Sequence, residues 1–288
     1  MSLLSVTEQE YLRTSLESKN NNNLQPIRPD GRKIDQFRPM GISLDFLPTS
    51  NGSTRLVSSD GTEIIVSSKV ECVDATGLDL GDFLVIDLDI QGYRDDSIYV
   101  NQMKSILYKS LNSKLMESGC LKINAKYSFK LCLDVLVLSK FSYPLSLISM
   151  AIYTTLQSTN VPMLLESESE KNANISGRSG ANQPKDIELN IDELPQFNDY
   201  DMKPLNFQSP LIFLIALIGD NCIVDPSELE SSVADNCLLV SFYDKKVTAP
   251  IKSISLNDSY IKGFTPQHLQ KSIKLVEKIA PDVVAALN

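Results

Sequence analysis

The first third of the chain alternates apolar and polar residues in the manner of β-strands, and two glycine turns divide it. An Asn-Gly pair at 51–52 separates residues 42–47 from residues 54–58, and an Asp-Gly pair at 60–61 separates these from residues 62–70. Such pairs between alternating segments are typical of two-residue hairpin turns. The pattern predicts three antiparallel strands.

Two strands and two helices are predicted next. Residues 83–90 alternate apolar and acidic side chains, which indicates a half-buried strand, and the apolar run 127–138 suits the middle of a sheet. Apolar residues at helical spacing follow each strand, and Pro144 opens the second helix. The stripes are Tyr99, Met103, Ile106, Leu107, Leu111 and Leu115, then Leu145, Ile148, Ile152 and Leu156.

The N-terminal residues predict a short helix over 7–17, with Ser5 and Glu8 placed as a capping box. Asparagines at 20–23 end it, and a turn-rich entry follows at 28–32.

The second half repeats the order of strands followed by a helix, although identity between the halves is too low to prove a duplication. Its strand-like segments are 211–218, 222–224, 238–243 and 247–256, with a short helix near 228–233. Thr265 caps a final helix with Pro266 in its first turn, and Pro281 is predicted to end or kink it. Its apolar face holds Leu269, Ile273, Val276 and Ile279.

Residues 166–190 are polar, rich in Ser, Asn and Gly, and without periodicity, so we expect a flexible insertion there. The chain is accordingly divided into an N-terminal helix and Asn-rich linker (1–27), a first half (28–165), the insertion (166–194) and a second half (195–288).

Composition narrows the function. The 288 residues are 42% apolar and 22% charged, which is usual for a soluble globular protein. A net charge of −9 argues against a protein that coats itself with nucleic acid, but not against a local basic strip. The longest apolar run, 211–218, is too short for a membrane helix, and the N-terminus does not resemble a signal peptide, so cytoplasm or nucleus is expected.

Cysteine and histidine usage disfavours several chemistries. The five cysteines are scattered, and Cys72, Cys132 and Cys237 lie in strand-like segments, where we expect buried free thiols. His268 is the single histidine, in a predicted helical first turn where a surface role is expected. Neither a zinc site nor a Ser-His-Asp or Cys-His arrangement is therefore expected, and no cofactor is predicted.

Several motifs, in this order and spacing, resemble the RNase PH-like proteins, over about residues 1–165 and 195–288. They are Arg-Pro-Asp-Gly-Arg at 28–32, Phe-Arg-Pro at 37–39, Asn-Gly-Ser-Thr-Arg at 51–55, Gly-Thr-Glu-Ile-Ile-Val at 61–66, Asp-Val-Leu-Val-Leu at 134–138, Ser-Thr-Asn-Val-Pro at 158–162 and Val-Asp-Pro-Ser-Glu at 224–228. The N-terminal helix and the 37–39 stretch are most similar to a ring subunit of the RNA exosome.

The resemblance implies an α/β (α+β) class fold: two β-α-β-α-like halves with mixed or antiparallel sheets and helices packed on them. It also implies a six-membered ring with other RNase PH-like subunits around an RNA channel. Further implied partners are RNA-binding cap subunits, an associated hydrolytic ribonuclease and RNA, with no membrane. The implied location is the nucleus and nucleolus, and also the cytoplasm.

Phosphorolytic members of this family hold phosphate with Gly-Gly-Thr-Arg-like residues between the central strand and the next helix. Here residues 140–145 are Lys-Phe-Ser-Tyr-Pro-Leu, so Leu145 stands in place of the arginine and Pro144 in place of the threonine. Leucine has no charge and proline has no N–H to donate. The resemblance therefore implies that the phosphate site has been lost.

Active members also carry two aspartates after the second-half turn, and here these positions hold Leu229 and Asp235. One carboxylate cannot replace a pair in positioning a metal. Glu228 or Glu230 could substitute, but we expect Glu228, Glu230 and Asp235 to be solvated surface charges.

In active members a basic helix faces RNA. This chain has fewer basic residues there, and those that remain are Arg94, Lys104 and Lys109. Lys109 matches a basic position of the family best, and solvated surface lysines are the commoner alternative.

The preferred hypothesis is a non-catalytic structural subunit that completes the ring and lines an RNA path. One alternative is a contributor of RNA-binding residues to a phosphorolytic site shared with a neighbour. The other, an RNA-binding module acting alone, is disfavoured by the charge and the lack of tryptophan.

Overall fold

The structure is a computed structural model that describes residues 4–17, 26–75, 83–124, 126–164, 195–257 and 263–288. The predicted insertion at 166–190 and the Asn run at 20–23 lie outside these residues.

Five helices and eleven strands follow one another in the described residues. In chain order they are α1 (Val6–Glu17), β1 (Met40–Leu44), β2 (Gly52–Ser58), β3 (Glu63–Asp74), β4 (Leu84–Ile90), α2 (Ile98–Ser118), β5 (Tyr127–Ser139), α3 (Leu145–Ser158), β6 (Asn160–Leu164), β7 (Phe197–Pro204), β8 (Leu211–Ile218), β9 (Asn221–Val224), α4 (Glu228–Val233), β10 (Asn236–Tyr243), β11 (Lys246–Ile254) and α5 (Pro266–Leu287).

Sheet one has five strands in the order β1-β2-β3-β5-β4. Both predicted hairpins are confirmed, since β1 pairs antiparallel with β2 and β2 with β3. The last pair, β4 and β5, is parallel because α2 carries the chain back across the sheet between them. The sheet is therefore mixed, and β5 lies in its interior as its apolar sequence predicts.

Sheet two has four strands in the order β11-β10-β8-β9, all antiparallel. A separate two-stranded ribbon pairs β6 with β7, so the end of the first half is hydrogen-bonded to the beginning of the second. Every residue of β8 is buried, which explains its unbroken apolar sequence.

Helices α2 and α3 join the two sheets. Helix α3 packs against β2, β3 and β8, and α2 packs against β4 and β11. Residues 145–156 of α3 are all buried. Most of its serine and threonine hydroxyls donate to carbonyls; Thr155 Oγ1, for example, donates to Ala151 O at 2.7 Å. Gly52 permits close approach on β2, because a Cβ there would lie 2.8 Å from Thr159 Cα.

Most helix ends follow the predicted caps. The capping box of α1 is confirmed, with Ser5 N donating to Glu8 Oε2 at 2.7 Å. In α5, Thr265 Oγ1 accepts from His268 N, and the half-buried imidazole of His268 accepts from Thr265 N. The single histidine therefore caps its own helix.

Of the two outcomes predicted for Pro281, an end of the helix or a kink, the first does not occur. Helix α5 continues to Leu287, because Val283, Val284 and Leu287 pack against the core and offset the hydrogen bond that proline removes. Cys72 is exposed rather than buried, since it lies near the end of β3. Among the described residues, no helix is both long and apolar enough to span a bilayer.

Candidate functional site

The loop between β5 and α3 is the region in which the sequence predicts a lost phosphate site. Leu145 is the first residue of α3 and is fully buried, with 0% of its surface exposed. Pro144 occupies the N-cap, where its side chain makes no capping hydrogen bond, and its carbonyl accepts from Ile148 N at 2.9 Å. The side chains at the two positions therefore offer an anion neither charge nor a hydrogen-bond donor.

Lys140 is the cation of this loop, and two tyrosines hold it. Its Nζ lies 2.9 Å from the Tyr93 hydroxyl and 3.3 Å from that of Tyr99, and within 4.6 Å of both ring centres. The two rings stack on each other at 4.6 Å. Burial acts to lower the pKa of Lys140, but the contacts with Tyr93 and Tyr99 outweigh burial and raise the pKa above its ordinary value. Its charge is thus engaged within the protein.

Arg38 brings a guanidinium to the same loop, but two carboxylates neutralise it. Its Nη1 donates to Ser142 Oγ at 2.8 Å and also pairs with Asp60. Its Nε and Nη2 donate to the two carboxylate oxygens of Asp225 at 2.8 and 2.7 Å. Only 6% of Arg38 is exposed. Burial opposes the shift, but the Thr62 N–H and Arg38 hold the pKa of Asp60 below its ordinary value.

A second buried ion pair lies beside this network. Arg28 donates from Nε and Nη2 to the carboxylate of Glu230 at 2.7 and 2.8 Å, and both side chains are fully buried. Arg32 Nη1 donates to Asp225 at 2.9 Å. The motifs at 28–32, 37–39 and 224–228 therefore meet in one place, where their charged residues join the two halves of the chain.

Leu229 and Asp235, which the sequence predicts to be what remains of an acidic pair, differ in their surroundings. Leu229 is 37% exposed, whereas Asp235 is buried, accepting from Arg13 Nη2 at 2.6 Å and from Gly219 N at 2.9 Å. The expectation of solvated surface charges is wrong for Asp235, which pairs with Arg13 in a partly buried contact, and for Glu230, which forms a fully buried ion pair with Arg28. Glu228 is exposed as expected. Among the residues described, no three His, Cys, Asp or Glu side chains group to hold a metal ion.

The three basic residues predicted to contact RNA differ in their surroundings. Arg94 is highly exposed, with Nε 3.5 Å from Asp96 Oδ1. Lys104 Nζ pairs with Asp87 at 2.9 Å, and Lys109 is exposed. Lys109 follows Lys104 by five residues, which places the two about 140° apart around α2. The two lysines therefore do not share a face of the helix, and the role of all three basic residues stays a prediction.

Sequence reasoning missed two arrangements at this site. Nothing in the spacing of Tyr93 indicated that it would hold Lys140, because Tyr93 lies in the turn after β4 and the partner lies 47 residues away. Arg38 was noted only within the 37–39 stretch, without its carboxylate partners. The signal that the sequence offered for a buried charge was the position of Arg38 between Phe37 and Pro39.

Comparison with known proteins connects the chain to the exosome. It is 44% identical to exosome complex component RRP42 of Saccharomyces cerevisiae, over 99% of this chain and 98% of that protein. It is 31% identical to exosome complex component rrp42 of Schizosaccharomyces pombe, over 99% of this chain and 93% of that protein. No protein-family model matches the chain.

Solved structures show the same fold at low sequence identity. A chain of the Archaeoglobus fulgidus exosome with RNA bound to the active site superposes with a TM-score of 0.67 at 16% identity, covering 97% of this chain and 99% of that one. A chain of an archaeal exosome core gives 0.65 at 17% identity, covering 97% of each. The predicted fold class is confirmed. Because the identity to the yeast proteins extends over nearly the whole of each chain, this chain belongs to the family of exosome complex component RRP42.

Proposed function

We propose that this protein is a non-catalytic structural subunit of the RNA exosome core ring. One observation carries the absence of catalysis: at the loop between β5 and α3, Leu145 is buried and Pro144 makes no side-chain cap. The nearby cations, Lys140 and Arg38, are held by tyrosines and by carboxylates.

Phosphorolysis requires a phosphate ion held where it can attack the RNA 3′ end. A guanidinium fork and N–H donors at a helix start are the groups that bind such an ion. Losing one preorganised donor costs about 10²–10³ in rate. Two such groups are missing here, and Arg38 cannot supply one without giving up its ion pairs with Asp225 and Asp60.

The proposed role is to complete the ring beside other RNase PH-like subunits and to line the RNA channel in support of 3′-to-5′ RNA processing and degradation. Likeness to the yeast components over the whole chain supports this role. Because this chain lacks its own phosphate site, we propose that degradation depends on an associated hydrolytic ribonuclease, with RNA delivered through cap subunits. We propose the nucleus, nucleolus and cytoplasm as its locations, which fluorescence microscopy of the tagged chain tests.

The central experiment measures phosphate-dependent RNA degradation. The chain is purified alone and with its co-expressed exosome subunits, and nucleoside diphosphate release is followed with and without phosphate. We expect no release from the chain alone, and no change in any activity of the complex on Asp235→Asn. Glu228→Gln, which replaces an exposed carboxylate by an amide, is the control for the removal of a carboxylate as such. Robust phosphorolysis that Asp235→Asn abolishes in a folded chain would overturn the proposal.

The exposure of Arg94 and Lys109 favours a second candidate function, in which this chain donates RNA contacts to a phosphorolytic site shared with a neighbour. The neighbour would then have to carry a Gly-Thr-Arg-like loop. In this case, Arg94→Gln would lower phosphorolysis by the assembled complex while leaving its assembly intact.

A further inference from the structure

Three tyrosines form a stack that runs from the core to the surface beside the loop between β5 and α3. Tyr93 lies in the turn between β4 and α2, Tyr99 in the first turn of α2, and Tyr143 in the loop itself. The rings of Tyr93 and Tyr99 stack at 4.6 Å, and Tyr99 meets Tyr143 edge to face at 5.9 Å. Tyr99 and Tyr143 pack against the core, whereas Tyr93 is 40% exposed. The outermost ring of the stack is therefore open to solvent.

Tyr93 is held in a fixed orientation although it lies at the surface. Its hydroxyl accepts a hydrogen bond from Lys140 Nζ at 2.9 Å, and its backbone N–H donates to Ile90 O at 3.0 Å. Gly92, whose φ is 85°, makes the turn that brings Tyr93 to this position. Because Tyr99 covers one face of the ring, the exposed area lies on the side away from Tyr99. A ligand that stacks there does not bear the entropic cost of ordering the side chain.

The charges around Tyr93 do not favour a phosphate group. The side chain of Arg94 is 89% exposed, and its Nε lies 3.5 Å from Asp96 Oδ1. Asp95 is also exposed, so one arginine of the turn stands against two aspartates. Lys140 is engaged with the tyrosine hydroxyls. A ligand at Tyr93 is therefore recognised through a flat apolar face rather than through its charge.

The exposed apolar surface of this turn has the size of a single aromatic ring. The residues beside Tyr93 in the turn, Gln91, Arg94, Asp95 and Asp96, are polar and exposed. A stable protein interface buries about 800 Å² on each partner, which is far more than one ring provides. A nucleobase matches one ring in size and shape, and in single-stranded RNA its flat face is accessible. Aromatic side chains stack on any base, because every base has such a face.

We propose that Tyr93 is a stacking platform for one nucleobase of single-stranded RNA, beside the loop between β5 and α3. This inference rests on the proposed function, because a path for RNA along this subunit would bring a strand to that surface. It adds a contact made to a base. That contact differs in kind from the phosphate contacts considered for Arg94 and Lys109.

The test measures binding of a fluorescently labelled oligoadenylate to the complex of the full chain with its co-expressed exosome subunits, by fluorescence anisotropy. Tyr93→Ala removes the ring, so we expect the Kd to rise by about tenfold. The slope of log affinity against log salt should not change, because no phosphate contact is lost. Tyr93→Phe keeps the ring and should bind within about twofold of wild type. Tyr11→Ala, at a tyrosine of α1 that is 76% exposed, is the control and should bind as wild type does.

A second measurement identifies the base as the group in contact. It uses a set of oligoadenylates, each of which lacks one base at a different place along the strand. The strand without the stacked base should bind equally to wild type and to Tyr93→Ala. Iodouridine at that place should crosslink on irradiation to the peptide that contains Tyr93, as located by mass spectrometry.

The outcomes separate this inference from the proposed function. Failure of the wild-type complex to bind the RNA would overturn both the platform and the RNA path along this subunit. Wild-type affinity in a folded Tyr93→Ala complex would overturn the platform alone. An equal loss in Tyr93→Phe, or the same effect of Tyr93→Ala on every strand of the base-deleted set, would also overturn it. So would loss of a subunit from the Tyr93→Ala complex in native mass spectrometry, because the ring would then contact protein rather than RNA.

Discussion

Arg38 and Asp225 form a two-pronged ion pair between the halves of the chain, with both carboxylate oxygens accepting from one guanidinium at 2.8 and 2.7 Å. The backbone N–H of Arg38 donates to the same carboxylate at 3.0 Å. Asp225 itself has a positive φ of 50°, in the left-handed region that aspartate tolerates better than most residues. The pair therefore stabilises the backbone turn at Asp225 as well as the contact between the two halves of the chain.

Removing Arg38 should destabilise the whole protein. Arg38→Ala leaves two carboxylates without their buried partner, so we expect the free energy of unfolding to fall by about 3–5 kcal/mol. Urea unfolding followed by circular dichroism measures the loss. Arg55→Ala is the control, because its ion pair with Glu63 is 41% exposed on the arginine side and should be worth about 1 kcal/mol or less. Equal losses in the two variants would contradict the structural role of Arg38.

The lowered pKa of Asp60 predicts a pH dependence of stability. A carboxyl group whose pKa is lower in the folded than in the unfolded chain stabilises the fold above its ordinary pKa of 3.8. That contribution is lost as the pH falls from there through the folded-state value. The free energy of unfolding should therefore fall in this acidic range, and Asp60→Asn should flatten part of the fall. Asp89→Asn, at an exposed carboxylate of β4, is the control. A pH profile identical in Asp60→Asn and wild type would contradict this assignment.

Restoring the arginine of the phosphate loop should not restore catalysis. Leu145→Arg places a guanidinium at a fully buried position, so we expect a loss of several kcal/mol in stability and no phosphorolysis. Leu145→Met, which nearly conserves volume, should cost less than about 1.5 kcal/mol. Thermal unfolding and nucleoside diphosphate release check both. A stable Leu145→Arg protein that binds phosphate would show that the loop is only one substitution away from function.

The exposed basic residues give a prediction about how RNA affinity depends on salt concentration. If Arg94 and Lys109 contact RNA phosphates in the assembled complex, Arg94→Gln and Lys109→Gln should each weaken binding. Each should also reduce the slope of log affinity against log salt by about 0.7. Filter binding at several salt concentrations measures the slope. Lys274→Gln, at an exposed position of α5, should leave it unchanged, and an unchanged slope in the first two variants would remove them from the RNA path.

Local signals predicted the elements of this fold well, since hairpins, caps and helical stripes depend on neighbouring residues. The Asn-Gly and Asp-Gly turns and the Ser5–Glu8 capping box are confirmed in this way. The sequence could not decide whether the helix ends at Pro281, because the packing of the residues after it decides whether the helix continues.

The candidate site was harder to predict because its charges find partners far along the chain. Glu230 is paired with Arg28 across 202 positions and Asp235 with Arg13 across 222. Unless these distant partners are known, an acidic residue in or next to a helix is assigned to the solvent-exposed surface. A lost phosphate site could be proposed from residues 140–145 by resemblance, but the pairing of Arg38 with carboxylates and the contacts of Lys140 with two tyrosines could not be predicted.

Helix α3 packs against strands of both sheets, and each residue from 145 to 156 is buried. Neither sheet can lose its order without uncovering the same twelve side chains that the other one needs. Heating should consequently melt the first and second halves in a single calorimetric transition, and a fragment that stops before β8 should not persist as an independent soluble fold.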